Sequence, residues 1–354
     1  MRVLVLLLSL FLAAAASAQS QSQQVPQASA EQNVNDQQQR AVTQPGNNAP
    51  FYREVRSGNA EYTTSSVKGP EAGVLIQSGG ETWRQIRNGP AMFYGGWLLV
   101  VVIAAILGLY WWKGPVKLSE PLTGRRMRRF TPFEMTVHWS TAISFCLLGL
   151  SGLVMFFGKS LLLPLIGHTL FGWLTYLCKN VHNFIAPLFI VSAAVMVVIW
   201  ARDNIFRRYD WQWFRRAWAF FLKSEHIPSG RFNAGEKAWF WGGVLLLSIV
   251  MTWSGLVLLF PNFDQPRATL QVAWIWHVAA AMLYIAASLG HIYMGTIGVA
   301  HTYDNMRHGW TDETWAKEHH SIWYEAVKSG RRPEDRRPAG GPVPAGAPHM
   351  KEDA

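Results

Sequence analysis

Cysteine is almost missing: the chain has two, Cys146 and Cys178, each in or beside an apolar stretch. Two isolated thiols make no disulfide scaffold, iron–sulfur site or zinc cluster. Charge is scarce as well. Only 15% of residues are charged, where a soluble domain carries about 25%. Half of the residues are hydrophobic and mean hydropathy is slightly positive, so much of the surface faces something other than water. No Asp or Glu lies well inside any of the long apolar runs, which argues against a carboxylate relay through them. What is abundant is Trp, with 18 residues, a side chain that collects at membrane–water interfaces.

The chain opens with a pattern of the secretory kind: Arg2, an apolar core from Val3 to Ala16, and the A-x-A site Ala16-Ser17-Ala18. Residues 1–18 are therefore expected to be a signal peptide. Residues 19–91 follow as a flexible periplasmic segment, rich in Gln, Asn, Ser, Ala and Gly up to about Gly80 and too poor in large apolar side chains to offset its ordering entropy. Trp83-Arg84-Gln85-Ile86-Arg87 reads as an interfacial lead-in. Five runs then reach the roughly 20 residues that a bilayer requires: Met92 to Trp112, Val137 to Phe157, Val181 to Trp200, Ala238 to Phe260 and Val272 to Val299. The predicted fold is an all-α membrane protein of five transmembrane helices.

Loop charge gives the orientation. Arg125, Arg126, Arg128 and Arg129 follow the first span, a basic stretch from Arg202 to Lys237 follows the third, and Arg307, Lys317, Lys328, Arg331 and Arg332 follow the fifth. The opposite loops hold only Lys159, Lys179 and Arg267. The positive-inside rule places the basic side in the cytoplasm, which agrees with a secreted N-terminus and accounts for the net charge of +10 without nucleic acid. Leu161 to Cys178 is nearly long enough to be a span of its own, but Pro164, Gly167 and Gly172 argue for an interfacial or re-entrant stretch, with His168 a loop residue.

Four histidines remain inside spans: His138, His182, His277 and His291. Ionisable groups there are costly and point to function. His277 and His291 are 14 positions apart, close to four helical turns, so they share a face about 21 Å apart along the axis. The topology sets His138 level with His291 on the cytoplasmic side and His182 level with His277 on the periplasmic side. Two depth-matched imidazole pairs suit two bis-histidine b haems, whose axial positions are both filled so that they carry electrons instead of binding substrate. These histidines are thus both the cofactor-binding and the metal-ligating candidates. No C-x-x-C-H occurs, which excludes covalent c-type attachment. Four of the five helices, within residues 114–300, would form the two-haem domain; residues 92–113 are an extra leading helix and 301–354 a cytoplasmic tail.

At these residues the sequence resembles the gamma subunit of respiratory formate dehydrogenases, a membrane cytochrome b family. The likeness covers roughly Arg129 to Val327. It rests on Arg129-Phe130-Thr131 with His138-Trp139, on Val181-His182-Asn183-Phe184, on Arg231-Phe232-Asn233-Ala234-Gly235-Glu236-Lys237, on His277 with His291-Ile292-Tyr293-Met294, and on the stretch from Ala316 to Tyr324. The resemblance implies that the four histidines are haem ligands. It also implies a quinone beside the cytoplasmic haem, near Asn233, Ala234, Gly235 and His291, with Glu236 as a proton relay or a solvated partner of Lys237. Asn233-Ala234-Gly235 reads equally as a helix cap before Glu236. The implied partners are an iron–sulfur beta subunit and a molybdenum or tungsten alpha subunit, since no formate-oxidising motif is present here. His319-His320 is expected to pack on a partner subunit. The alternatives are the cytochrome b of a membrane hydrogenase or other molybdoenzyme, and a haem-free proton-relay transporter.

Overall fold

The computed structural model describes residues 78–330, apart from 224 and 264. The signal peptide and most of the expected flexible segment lie outside the described residues, as does the chain after residue 330. Among those described, five helices are long and apolar enough to cross a membrane: Gly79–Lys113, Pro132–Leu161, Leu163–Trp200, Ala234–Leu259 and Arg267–Gly298. A helix satisfies every backbone N–H and C=O within its own segment, which is what an apolar run in lipid requires.

In chain order, α1 (Ser78–Ile86) passes through a π turn, Arg87–Ala91, into α2 (Met92–Lys113). Strand β1 (Arg126–Arg128) precedes α3 (Pro132–Leu161) and α4 (Leu163–Trp200), and α5 (Arg208–Lys223) leads to α6 (Ala234–Trp239). A π segment, Phe240–Leu247, joins α6 to α7 (Ser248–Leu259); α8 (Arg267–Tyr293) ends in the π turn Met294–Gly298. The chain continues through α9 (Thr302–His308), β2 (Trp310–Asp312), α10 (Glu313–His319) and α11 (Ser321–Lys328). These residues make two compact units, one from 78–96 and 253–279 and the other from 97–252 and 280–330.

In the smaller unit the Trp83 ring meets Trp274 edge-on at 5.3 Å, and the Arg87 guanidinium lies over both rings at 5.7 and 5.9 Å. Gln265 donates to the Val257 and Phe260 carbonyls at 3.2 and 2.8 Å, satisfying acceptors that the end of α7 leaves open.

The larger unit is organised by a buried arginine clasp. α3 and α6 both begin with a capping box, Thr131 with Glu134 and Asn233 with Glu236. Arg129 donates to the Arg231 carbonyl at 2.7 Å and to Glu236 at 3.2 Å. Arg231 returns the bonds, to the Arg129 carbonyl at 2.6 Å and to Glu134 at 2.8 Å, and adds Asp203 at 2.8 Å. Trp200 Nε1 completes Glu134 at 2.8 Å. Around this polar knot pack Phe130, Val137, Met196, Trp200, Phe232, Phe240 and Val244.

Four expectations need correction. Residues 78–91, assigned to the flexible segment, are helical and run into α2. Leu161 to Cys178 is no re-entrant loop: α4 starts at Leu163, and its non-helical residue is Gly167, at φ 75° and ψ 171°. That glycine takes a conformation that an L side chain resists and interrupts the helix at one residue, after which helix resumes and runs to Trp200. His168 is therefore helical, and exposed. Lys237 does not pair with Glu236; it is buried on Asp210 at 2.7 Å. Finally, His319 and His320 pack within this chain. Both are buried, with the Trp315 ring 5.1 and 5.0 Å from theirs, and the His320 Nδ1 lies 2.7 Å from the Gly230 carbonyl.

The tail rejoins the body through β2, antiparallel to β1 with Met127 opposite Thr311. Gly309 makes the turn before it, at φ +80°, with its ideal Cβ position only 2.5 Å from the Phe130 carbonyl oxygen. A left-handed L residue costs about 1–2 kcal/mol before any clash. Gly309→Ala is therefore expected to lower the thermal midpoint in detergent by several degrees, read by tryptophan fluorescence.

Burial pushes the His319 imidazole down to about 3 and lowers that of His320 well below its ordinary range, with the nearby Arg129 charge adding to both. Both are neutral when folded and protonate near 6.5 when unfolded. Their stability contribution is thus fully present above pH 6.5 and is lost as pH falls toward 3. His319→Gln is expected to flatten that acid limb by up to about 1.4 kcal/mol per pH unit, measured as the unfolding midpoint against pH.

Candidate functional site

His138 sits in the second turn of α3 and His291 near the end of α8. Their ring centroids are 6.3 Å apart, with ring planes at 58°. Trp239 lies flat against His291, at 5.2 Å and 17°, and Trp200 flanks His138 at 6.3 Å. Trp139, next to His138, donates its indole N–H to the Met306 carbonyl at 2.8 Å, which ties the start of α3 to the chain just after α8. His138 Nδ1 is buried without a hydrogen-bond partner, while His291 is exposed.

The other two histidines have a common local design. His182 Nδ1 lies 2.9 Å from the Ser151 hydroxyl, and His277 Nδ1 lies 3.0 Å from the Ser254 hydroxyl. In each case the next residue is glycine. A Cβ on Gly152 would stand 3.4 Å from His182 Cε1, and one on Gly255 would stand 3.4 Å from His277 Cε1. Ser151 and Ser254 are both buried.

The spacing of His138 and His291 fits a haem. A metal–imidazole bond is about 2 Å, so two bonds in line, plus the roughly 1 Å from each ring nitrogen to its centroid, need centroids about 6 Å apart. His138 and His291 meet that spacing. Among the described residues no group of three or more His, Cys, Asp or Glu could hold a metal by itself; a macrocycle with four nitrogens of its own needs only an axial pair.

At the expected quinone loop, the Asn233 side chain accepts from the Glu236 N–H at 2.9 Å, and Glu236 accepts from the Asn233 N–H at 2.8 Å. Asn233-Ala234-Gly235 therefore forms the helix cap. Ala234 is fully buried, and the ideal Cβ position of Gly235 is only 2.8 Å from the Trp213 ring. Glu236 faces Arg129 at 3.2 Å, so a guanidinium, and not Lys237, balances it.

The sequence reading missed Ser151, Ser254, Trp239 and the clasp, although a signal was present. Arg129-Phe130-Thr131-Pro132-Phe133-Glu134 and Arg231-Phe232-Asn233-Ala234-Gly235-Glu236 are two copies of R-F-[T/N]-x-x-E. A Ser-Gly pair follows each arginine, by 22 residues in the first copy and 23 in the second. The extra residue has a structural counterpart in the π segment Phe240–Leu247, since a π turn inserts a residue into an α-helix. Trp139 and Trp241 stand ten positions after their respective arginines, and Trp241 bonds the Asn204 carbonyl at 2.8 Å as Trp139 does that of Met306.

Residues 129–309, just over half of the chain, match the family described as prokaryotic cytochrome b561. The chain belongs to that family. Membership of a b-type cytochrome family implies b haem, in agreement with the imidazole spacing. This cytochrome is 29% identical over 208 residues to the formate dehydrogenase cytochrome b556(fdo) subunit of Escherichia coli K12, covering 56% of the present chain and 92% of the relative. It is 28% identical over 205 residues to the nitrate-inducible formate dehydrogenase cytochrome b556(Fdn) subunit of the same strain, covering 55% and 88%. A protein of that second name from Shigella flexneri matches over the same shares. The part of the cytochrome before Arg129 has no counterpart in the family match.

Proposed function

We propose that this cytochrome is the membrane subunit of a formate dehydrogenase, taking electrons from an iron–sulfur subunit on the periplasmic side and passing them to a quinone near the cytoplasmic side. His138 with His291 would hold one b haem, and His182 with His277 a second. When bound, haem b supplies one-electron carriage, and two axial imidazoles leave no position for substrate. The observation that carries the reading is the 6.3 Å separation of the His138 and His291 rings, supported by the two formate dehydrogenase relatives. The charge pattern of the loops supports an N-out, C-in orientation.

The chain's own residues supply the rest of the quinone site. Asn233, Ala234, Gly235 and His291 would border it, and Glu236, held by Arg129 at 3.2 Å, is the carboxylate placed to pass cytoplasmic protons to a quinone that takes up two electrons and two protons. Formate oxidation belongs to a molybdenum or tungsten partner, because this chain carries no motif for it.

The test is a pyridine haemochrome and reduced-minus-oxidised spectrum of the purified chain, repeated on the native membrane complex with formate and then hydrogen as donor. The expected result is two b haems per chain, reduced by formate. Absence of haem in protein made with ample haem supply would return the proton-relay transporter, and reduction by hydrogen alone would return the hydrogenase cytochrome.

A further inference from the structure

We propose that Ser151 and Ser254 are positioning residues for the two imidazoles His182 and His277, each fixing its ring's tautomer and plane so that Nε2 presents the lone pair to iron. The proposal rests on the haem reading above and extends it to two side chains that neither the family match nor the relatives identify.

The hydrogen-bond inventory carries the argument. A serine hydroxyl has one proton and two acceptor lone pairs. Ser151 Oγ lies 2.7 Å from the Leu147 carbonyl of its own helix, and a carbonyl only accepts. The single hydroxyl proton is therefore directed at Leu147, and Oγ meets His182 Nδ1, 2.9 Å away, as an acceptor. Nδ1 must carry the hydrogen, which puts the lone pair on Nε2. An imidazole held in this way is also a more basic metal ligand.

Ser254 Oγ likewise meets His277 Nδ1, at 3.0 Å, and by that matching contact the tautomer of His182 is extended to His277. In both places the following glycine keeps a side chain off Cε1, where an added Cβ would be at 3.4 Å. Two seats with the same partner atom and the same glycine, at matching positions after the two R-F-[T/N]-x-x-E segments, are more than helix-packing serines require. A serine that only satisfies its own helix bonds the carbonyl four residues back and has no need of an imidazole.

The experiment compares Ser151→Ala and Ser254→Ala with wild type by redox titration and by low-temperature EPR of the oxidised protein in the intact membrane complex. Each variant is expected to keep its haem content, to shift the potential of one haem only, and to change that haem's low-spin signal as the ring turns. Second-shell partners of metal-bound histidines are worth about 10–100-fold in affinity. A tenfold weaker preference for the ferric state corresponds to about 59 mV, upward, for a one-electron couple. Ser→Thr at either site, which keeps the hydroxyl, is expected to restore the wild-type potential. Should an Ala variant lose its haem, Ser→Cys, close in size and a weak acceptor, gives the reading, with a partial shift expected.

Unchanged potentials and EPR signals in haem-replete Ala or Cys variants would overturn the proposal. A shift that Thr does not restore would also overturn it, since packing alone would then explain the effect. His182→Ala, run beside them, separates the two levels of inference: if that variant keeps both haems, the ligand assignment itself has failed.

Discussion

His291→Ala is expected to leave the purified complex with one b haem in place of two and to bring formate-to-quinone turnover down to background, while formate still reduces the haem that remains. Three things meet at this residue. Its ring stands 6.3 Å from that of His138, it is stacked on Trp239 at 5.2 Å, and its helix carries His277 fourteen positions earlier. On the proposed pairing, an alanine would remove one axial ligand and leave His138 with no partner to close a six-coordinate site, so low-spin haem would not persist there. His138→Ala should give the same spectrum, because the proposed pairing has the two rings serve one site. His182→Ala should remove the other haem and block reduction by formate altogether, because the first acceptor on the entry side is then missing. Haem counts by pyridine haemochrome, together with stopped-flow reduction by formate, check all three. Retention of two haems in His291→Ala would refute the pairing.

The second large effect is on stability. Arg231→Ala is expected to cost about 3–5 kcal/mol, the range for removing one member of a buried ion pair, and to lower the thermal midpoint more than any substitution on the lipid-facing surface. Arg231 bridges Glu134 and Asp203, both at 2.8 Å. Both carboxylates hold it charged, raising the guanidinium above its ordinary value against the opposing effect of burial. Its loss would strand Glu134, which already accepts from Trp200 and caps α3. Arg129 is more deeply buried, and desolvation lowers its guanidinium in spite of Glu236. Arg129→Ala would remove the bonds to the Arg231 carbonyl and to Glu236, leaving Arg231 on Glu134 and Asp203. A double-mutant cycle of Arg231→Ala with Glu134→Gln should show strong coupling, since the two are in direct contact at 2.8 Å. The exposed pair Glu81–Arg84, at 2.6 Å, offers the contrast: Arg84→Ala should leave the midpoint unmoved, because surface pairs contribute little.

Much of the fold was legible because lipid imposes a length rule. Apolar runs of about 20 residues must be helices, and the five expected spans are five helices with extended ends: Val137 to Phe157 became Pro132–Leu161 and Val272 to Val299 became Arg267–Gly298. The N-terminal ends moved outward because caps, which a hydropathy window ignores, extend helices into the interface. Thr131 and Glu134 do this for α3. The same rule failed between Leu161 and Cys178, where proline and glycine suggested a loop. A proline is tolerated in the first turn of a helix, and the break at Gly167, at φ 75°, takes a single residue before helix resumes toward Trp200.

The candidate site was legible in part, and for a related reason. Ionisable groups in apolar runs are so few that His138, His182, His277 and His291 stand out, and helical periodicity orders those on one helix. Their company was not legible. Nothing local to Lys237 reveals that Asp210 neutralises it, and nothing local to His320 reveals a seat on Gly230. Ser151 and Ser254 read as unremarkable small residues in a span until their hydroxyls are seen on imidazoles.

The sequence by itself determined the membrane class, the number of spans and the four histidines, because burial in lipid is a property of a segment and needs no partner to be read. Only the tertiary structure decided which charges are buried, which side chain completes which, and that the rings of His138 and His291 lie 6.3 Å apart. Those are relations between residues as much as 199 positions apart, as Ser119 and Glu318 are. Hydrogen bonds, ion pairs and ligand pairs form only where packing has already brought their atoms within about 3 Å.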